Sequence, residues 1–136
     1  MTADFNHFPE LAAALPGWMR DVSIKSAKDV VDKAVTNAPH DTGFLQSSIY
    51  YSAHGASTYG QGIQSPPGDA SILPEEKPET DQDVIVGVAA NYGPYVEYGT
   101  AHGPAQPYLI PAADAAESTF MSLATGTLEE TLSKVK

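Results

Sequence analysis

Asp83-Val84-Ile85-Val86-Gly87-Val88 is the most strand-like stretch of the chain, and it stands between two long helical patterns. Val84, Val86 and Val88 fall on one face of a period-two alternation, and Gly87 marks a point where a neighbouring group can approach closely. Upstream, Leu11, Leu15, Met19, Val22, Ala27, Val30, Val31, Ala34 and Val35 recur at three- and four-residue spacing between Pro9 and Asn37, the period of an amphipathic helix. Leu15-Pro16-Gly17 lies inside that pattern, where proline removes a backbone hydrogen bond and glycine weakens the helix. The spacing therefore predicts a short helix, a kink or break near residue 16, and a longer helix ending before Pro39.

Downstream, Ala112, Ala113, Ala116, Phe120, Leu123, Ala124, Leu128 and Leu132 form a second helical stripe, opened by Pro111 in a first turn and weakened by Gly126. Helix, strands and helix in that order read as an α+β fold. A small antiparallel sheet packs against a long N-terminal helix and a C-terminal helix, in one domain spanning residues 1–136.

Between these landmarks, Phe44 to Tyr51 ends rich in strand formers and predicts a strand entered near Ser47. Residues 53–82 collect Gly, Pro, Ser, Gln and acidic residues, with Pro66-Pro67-Gly68 and Pro74-Glu75-Glu76-Lys77-Pro78 arguing against a regular element. So long a loop in a small domain reads either as a functional projection or as a segment disordered in the free subunit. Tyr59, Ile63, Ile72 and Leu73 give it apolar points to seat against a partner, so it is expected to be an interaction arm that orders in part on assembly. Tyr92 to Tyr98 predicts a turn or short helix closed by Gly99 in the left-handed region, and Pro107-Tyr108-Leu109-Ile110 a short edge strand.

Seventeen acidic and seven basic residues give a formal charge of −10, which argues against sequence-specific nucleic-acid binding because a phosphate backbone needs a Lys/Arg footprint. An acidic wall is nevertheless suited to a channel through which DNA passes without sticking. The chain contains no cysteine, so disulfides and thiolate metal sites are excluded. No apolar run approaches the roughly 20 residues that span a bilayer, and Met1-Thr2-Ala3-Asp4-Phe5 shows no secretory signal. Folding in the cytosol, without a membrane, is expected.

No cofactor or metal is expected. His7, His40, His54 and His102 lack the i, i+4 pairing of a helical zinc motif, and Gly55, Gly60 and Gly62 sit in a loop without the lysine and helix of a phosphate-binding loop. The seven tyrosines lack interleaved basic residues and read as core edge and interface rather than a base-stacking platform.

Two segments carry the remaining information. In the first, Asp41 can cap the turn that follows, Gly43 frees the backbone to change direction, and Leu45 and Ile49 are apolar anchors. In the second, Tyr95 and Tyr98 stand three residues apart on one side of a helical turn, with Glu97 free to accept hydrogen bonds. Neither holds an evident nucleophile and base, so both read as architectural, and the chain as not an enzyme. Asp41-Thr42-Gly43 is also the signature tripeptide of retroviral-type aspartic proteases, and Val84-Ile85-Val86-Gly87 faintly matches a second element of that fold. The context disagrees: a helix and Pro39 precede the aspartate, and Phe44 rather than a small residue follows the glycine.

Ala38-Pro39-His40-Asp41-Thr42-Gly43-Phe44-Leu45-Gln46-Ser47-Ser48-Ile49, then Asn91-Tyr92-Gly93-Pro94-Tyr95-Val96-Glu97-Tyr98-Gly99-Thr100, then Pro107-Tyr108-Leu109-Ile110-Pro111-Ala112 together resemble the head-to-tail joining, or tail-completion, family of long-tailed bacteriophages. The resemblance rests on Asp41, Thr42, Gly43, Tyr95, Glu97, Tyr98, Gly99, Thr100, Pro107 and Pro111 in order, and departs at Gly93, where alanine is usual, and Gln46, where a basic residue is common. It implies a structural virion protein without cofactor, assembled in the host cytoplasm. Such a subunit belongs to a homomeric ring of six copies, or alternatively twelve, in the neck or upper tail around the DNA channel. Implied partners are stopper or adaptor, tail terminator and tail tube proteins, and the tail terminator itself is the alternative role.

Overall fold

The computed structural model describes residues 8–40 and 43–135. The capping role expected of Asp41, and its neighbour Thr42, lie outside the described residues. In chain order the elements are α1 (Phe8–Asn37), α2 (Phe44–Ser47), β1 (Ile49–Ala53), β2 (Ala56–Ser57), β3 (Ile85–Val88), α3 (Gly93–Tyr98) and α4 (Leu109–Val135). The α+β architecture expected from the sequence is present.

The break expected near residue 16 is absent: α1 runs on through Pro16. Leu15, Pro16 and Gly17 are all exposed, so water can satisfy the carbonyl that the proline leaves unpaired. One residue on, the Trp18 indole N–H donates to the Ala124 carbonyl at 3.2 Å and ties this part of α1 to α4. Further along, Thr119 Oγ1 donates to Asp29 Oδ2 at 3.3 Å, and Asn37 Nδ2 to the Tyr108 carbonyl at 3.4 Å. Residue numbers rise on one helix as they fall on the other, so α1 and α4 form an antiparallel hairpin whose near end sits at the sheet.

The sheet has three antiparallel strands in the order β2-β1-β3. Cross-strand partners include Tyr50 with Gly87 and Tyr51 with Val86. A side chain at residue 87 would bring its first carbon within 2.6 Å of the Tyr50 hydroxyl, so the glycine seats the tyrosine ring, the close approach its place in a strand pattern implied. The core joins Phe44, Leu45 and Ile49 to Ala34 of α1, Ala38 just after it, Ala90, and Tyr108 and Ala112 at the start of α4. Small alanines on both helices leave room for the two large rings, Phe44 and Tyr108, both almost wholly buried.

Three local expectations are corrected. Phe44–Ser47 is a turn of helix, and the strand begins only at Ile49. Within residues 53–82, Ala56–Ser57 pairs with β1 through a tight turn at residues 54–55. Pro107–Ile110 is not an edge strand: Leu109 and Ile110 are the first residues of α4. Pro111 is therefore the third helical residue, a place where no intrahelical donor is needed.

Residues 53–82 are also fastened to the sheet by contacts of their own. Leu73 N–H donates to the Ala89 carbonyl at 2.7 Å, and Ile72 bridges Ala90. Glu75 Oε2 accepts from Ser52 Oγ and Ser57 Oγ, both at 2.7 Å, and Glu76 N–H donates to the Tyr50 hydroxyl at 3.0 Å. Helices thus cover one face of the sheet, where Ile49 lies, and the arm crosses the other, where Tyr50 and Ser52 lie. No described helix is long and apolar enough to cross a membrane.

Candidate functional site

Glu97 is the buried charge around which the motif segments are organised. It lies on α3 and is 6% exposed. Its Oε2 accepts from the Tyr108 backbone N–H, and its Oε1 from those of Leu109 and Ile110, each at 2.9 Å. A helix start leaves up to four backbone N–H groups without intrahelical acceptors. At α4 these belong to Tyr108, Leu109 and Ile110, because Pro111 has none, so one carboxylate from another element satisfies all three. The negative charge also stands at the positive end of the helix dipole.

Tyr108 completes the joint from the other side. Its hydroxyl donates to the Gly93 carbonyl at 3.1 Å, and burial, with the Glu97 charge next in weight, pushes its ionisation far above the ordinary tyrosine range. A Cβ on residue 93 would lie 2.9 Å from both the Tyr108 hydroxyl and Val88 Cγ1. Glycine in place of the usual alanine is thus what this tyrosine packing requires. Gln46, the other departure, donates from Nε2 to the Val35 carbonyl at 2.9 Å and serves the last turns of α1, which has no basic residue in its final turn.

Gly99 ends α3 at φ 80° and ψ 169°, so its φ is positive as expected, but the backbone is extended rather than helical. A Cβ there would meet the Ala105 nitrogen at 2.7 Å. The close contact, reinforced by Gln106 N–H donating to the Val96 carbonyl at 2.8 Å, folds residues 100–106 against α3. Thr100 bridges Gly103 in that loop.

An open cleft of about 440 Å³ results, with Pro39, Gly43 and Leu45 from the first motif segment on one side and Tyr92, Tyr95, Val96 and Thr100 from the second on the other. Pro67 of the arm and Gly103, Pro104 and Gln106 complete its walls. Tyr95 and Tyr98 are 63% and 72% exposed, with Ile110 nearby also exposed. Pro107 and Pro111 are exposed beside them. The structure thus brings Gly43, Tyr95 and Thr100 together, turns Glu97 inward, and leaves Tyr98 on the surface.

The arm residues lie apart from this cleft. Tyr59 stacks edge-on against Tyr50 with ring centroids 5.0 Å apart and donates its hydroxyl to the Leu73 carbonyl at 2.5 Å. Ile63 packs against the core cluster, whereas Ile72 and Leu73 are exposed. Sequence reasoning missed Glu75, whose two serine bonds hold its carboxyl below the ordinary carboxylate range. The Ser-x-x-x-x-Ser spacing of Ser52 and Ser57 across a two-residue turn was the available signal.

Chemically, this arrangement caps and clamps. The Ser47 and Ser48 hydroxyls donate to nearby carbonyls and those of Ser52 and Ser57 to Glu75, so none of the four is presented to a histidine. His54 Nδ1 lies 3.4 Å from Asp81 Oδ1, with Nε2 3.0 Å from the Pro78 carbonyl. Among the described residues no cluster of His, Asp and Glu is arranged to hold a metal ion.

Compared with known proteins, residues 10–99 match the model of a family described as "Bacteriophage HK97-gp10, putative tail-component". The matched range takes in most of α1, the sheet, the arm and α3 as far as Gly99. No curated protein and no solved structure matches.

Proposed function

From the premise that this chain belongs to the HK97-gp10-like family of bacteriophage tail components, we propose that it is a structural subunit of the ring that joins head to tail. The observation that carries this reading is the exposed pair Tyr95 and Tyr98, of which Tyr95 lines a cleft built by both motif segments. Two large aromatics left in water on so small a domain are what an interface core uses, since tyrosine is enriched there and charged residues are depleted. Glu97 clamps α3 to α4 beneath them, so the pair is presented from a rigid base.

In this role the chain repeats around an axis in six copies, or twelve, through head-to-tail contacts of the heterologous kind. The partners are neighbouring copies and the adjoining stopper or adaptor, tail terminator and tail tube proteins. DNA passes through the ring without being read, consistent with a formal charge of −10. The subunit performs no chemical step, and its place is in the virion. The test is its copy number per particle, measured by mass or by a map of intact virions. Six or twelve copies in a closed ring at the neck support the reading; a monomer, or a location at the far end of the tail, overturns it.

A further inference from the structure

The two edges of the sheet are finished differently. At β2 the Ser57 carbonyl accepts from Gln61 Nε2 at 3.1 Å, so the short outer edge is capped from within the chain. At β3 the register leaves the edge open. Tyr51 spends its backbone on the opposite side: its N–H donates to Thr58 Oγ1 and its carbonyl accepts from Thr58 N–H, both at 3.0 Å. Val86, directly across from Tyr51, is therefore in a non-hydrogen-bonded pair, with its own N–H and C=O turned away from β1. By the same alternation Val88 faces outward and Gly87 and Ile85 inward; at Ala89 the alternation breaks, its N–H donating inward to the Ser48 carbonyl at 2.9 Å while its carbonyl accepts from Leu73 on the outer side.

A fourth lane is begun beside this edge and then abandoned. Residues 71–73 pair with residues 89–91, through Leu73 N–H to the Ala89 carbonyl at 2.7 Å and Asn91 N–H to the Ser71 carbonyl at 3.1 Å. Pro74 has no N–H to continue the ladder, and the chain crosses the sheet face towards Tyr50 and Ser52. Exposed strand edges are commonly guarded by lysine, proline or a bulge. Val84, Val86 and Val88 are half-buried valines with no lysine or proline among them, and the break in alternation at Ala89 lies beyond them.

We infer that the outer edge of β3 accepts an extended, lysine- or arginine-bearing segment of another protein as an added strand. Charge complementarity selects that occupant: exposed Glu76, Glu79, Asp81 and Asp83 lead into β3, with Lys77 alone among them. A second copy is not suited to the lane. Its Arg20, Lys25, Lys28 and Lys33 are in α1, Lys134 is in α4 and Lys77 stands singly among acidic residues, so it offers no extended basic segment among the described residues. Strand addition draws affinity from main-chain bonds and specificity from alternate side chains, which suits an edge that is short, apolar and flanked by acid. This inference goes beyond the ring reading and does not depend on it.

The test is residue-resolved amide exchange on the full chain, alone and with a soluble eight-residue peptide of alternating lysine and valine. In the free chain the Val86 amide should exchange at least about tenfold faster than that of Gly87, and the peptide should slow Val86 and Val88 alone. Val86→Pro removes an outward N–H and no ladder bond, so it should keep the melting profile and abolish peptide binding. If that variant fails to fold, Asp81→Lys with Asp83→Lys decides, and should weaken binding at least about tenfold at low salt. Equal protection of Val86 and Gly87 in the free chain, binding that survives these substitutions, or protection of Val86 by self-association overturns the inference. A virion lacking the chain would sink the ring reading and leave this one standing.

Discussion

Glu97 and Tyr108 hold each other's elements in place: the Glu97 carboxylate accepts the Tyr108 backbone N–H at 2.9 Å, while the Tyr108 hydroxyl reaches back to Gly93 on α3. The α3–α4 joint is thereby clasped at both ends of one tyrosine. Glu97→Ala should leave three buried or half-buried N–H groups without an acceptor and lower stability by about 2–4 kcal/mol. Glu97→Gln keeps one oxygen acceptor and should lose less. Denaturant melts of the two variants check this, and equal losses would mean that packing rather than capping is at stake.

Gly93→Ala should cost about 1–3 kcal/mol, because the added methyl would overlap the Tyr108 hydroxyl and Val88 Cγ1 in a packed site. Tyr108→Phe removes one of those two obstacles. The double substitution should therefore be less destabilised than the sum of the singles, a coupling that a double-mutant cycle reads directly.

The anchoring of the arm should depend on pH through Glu75. Its folded carboxyl titrates below the ordinary range because two serine hydroxyls donate to the charged form. The sign follows: the contribution is complete above the unfolded carboxylate's pKa and is lost as pH falls through the lower folded value. Cleavage of residues 74–82 by a protease active in acid should quicken across that window. Glu75→Gln should cleave at one rate throughout, and an unchanged acid profile in that variant would assign the effect elsewhere.

Tyr95→Ala with Tyr98→Ala should shift subunit stability by no more than about 0.5 kcal/mol, since both side chains are largely in water. On the ring reading the same variant should leave heads and tails unjoined. Particle yield in a complementation assay separates these effects, and normal yield would remove the pair from the interface.

Ile72→Asp with Leu73→Asp tests the arm in the same way. Both residues are exposed and the backbone bond of Leu73 survives substitution, so the subunit should fold, and on the ring reading it should lose an apolar contact to an adjoining ring. A melting point unchanged alongside full infectivity would leave the arm without that role.

Much of this fold was legible because it is periodic. The apolar stripes of α1 and α4 and the valines of β3 name their elements through spacing alone. Pro16 misled because a proline's cost depends on whether water reaches the freed carbonyl, and that is decided by which face of α1 meets α4. Pro107–Ile110 looked extended because its donors find their acceptor in Glu97, eleven residues away from Tyr108, rather than in a local cap. The arm's fastening was likewise invisible, since Glu75 meets Ser52 and Ser57 only after the chain has crossed the sheet. At the motif cleft, Gly43, Tyr95 and Thr100 were named in advance, but their convergence belongs to tertiary structure.

The Trp18 to Ala124 hydrogen bond spans 106 residues of chain, and it carries a timing consequence for biosynthesis. A ribosome moving at about 5–20 residues per second needs roughly 5–20 s to travel that distance. For most of that interval α1 is without the helix that covers its apolar stripe, and α3, once made, still waits for the helix start at residues 108–110 that Glu97 serves. A nascent chain therefore has no finished Tyr95–Tyr98 platform before the start of α4 is made. Chains arrested before Leu109 should accordingly stay protease-sensitive along α1, whereas resistance at that length would show that the hairpin is dispensable for early folding.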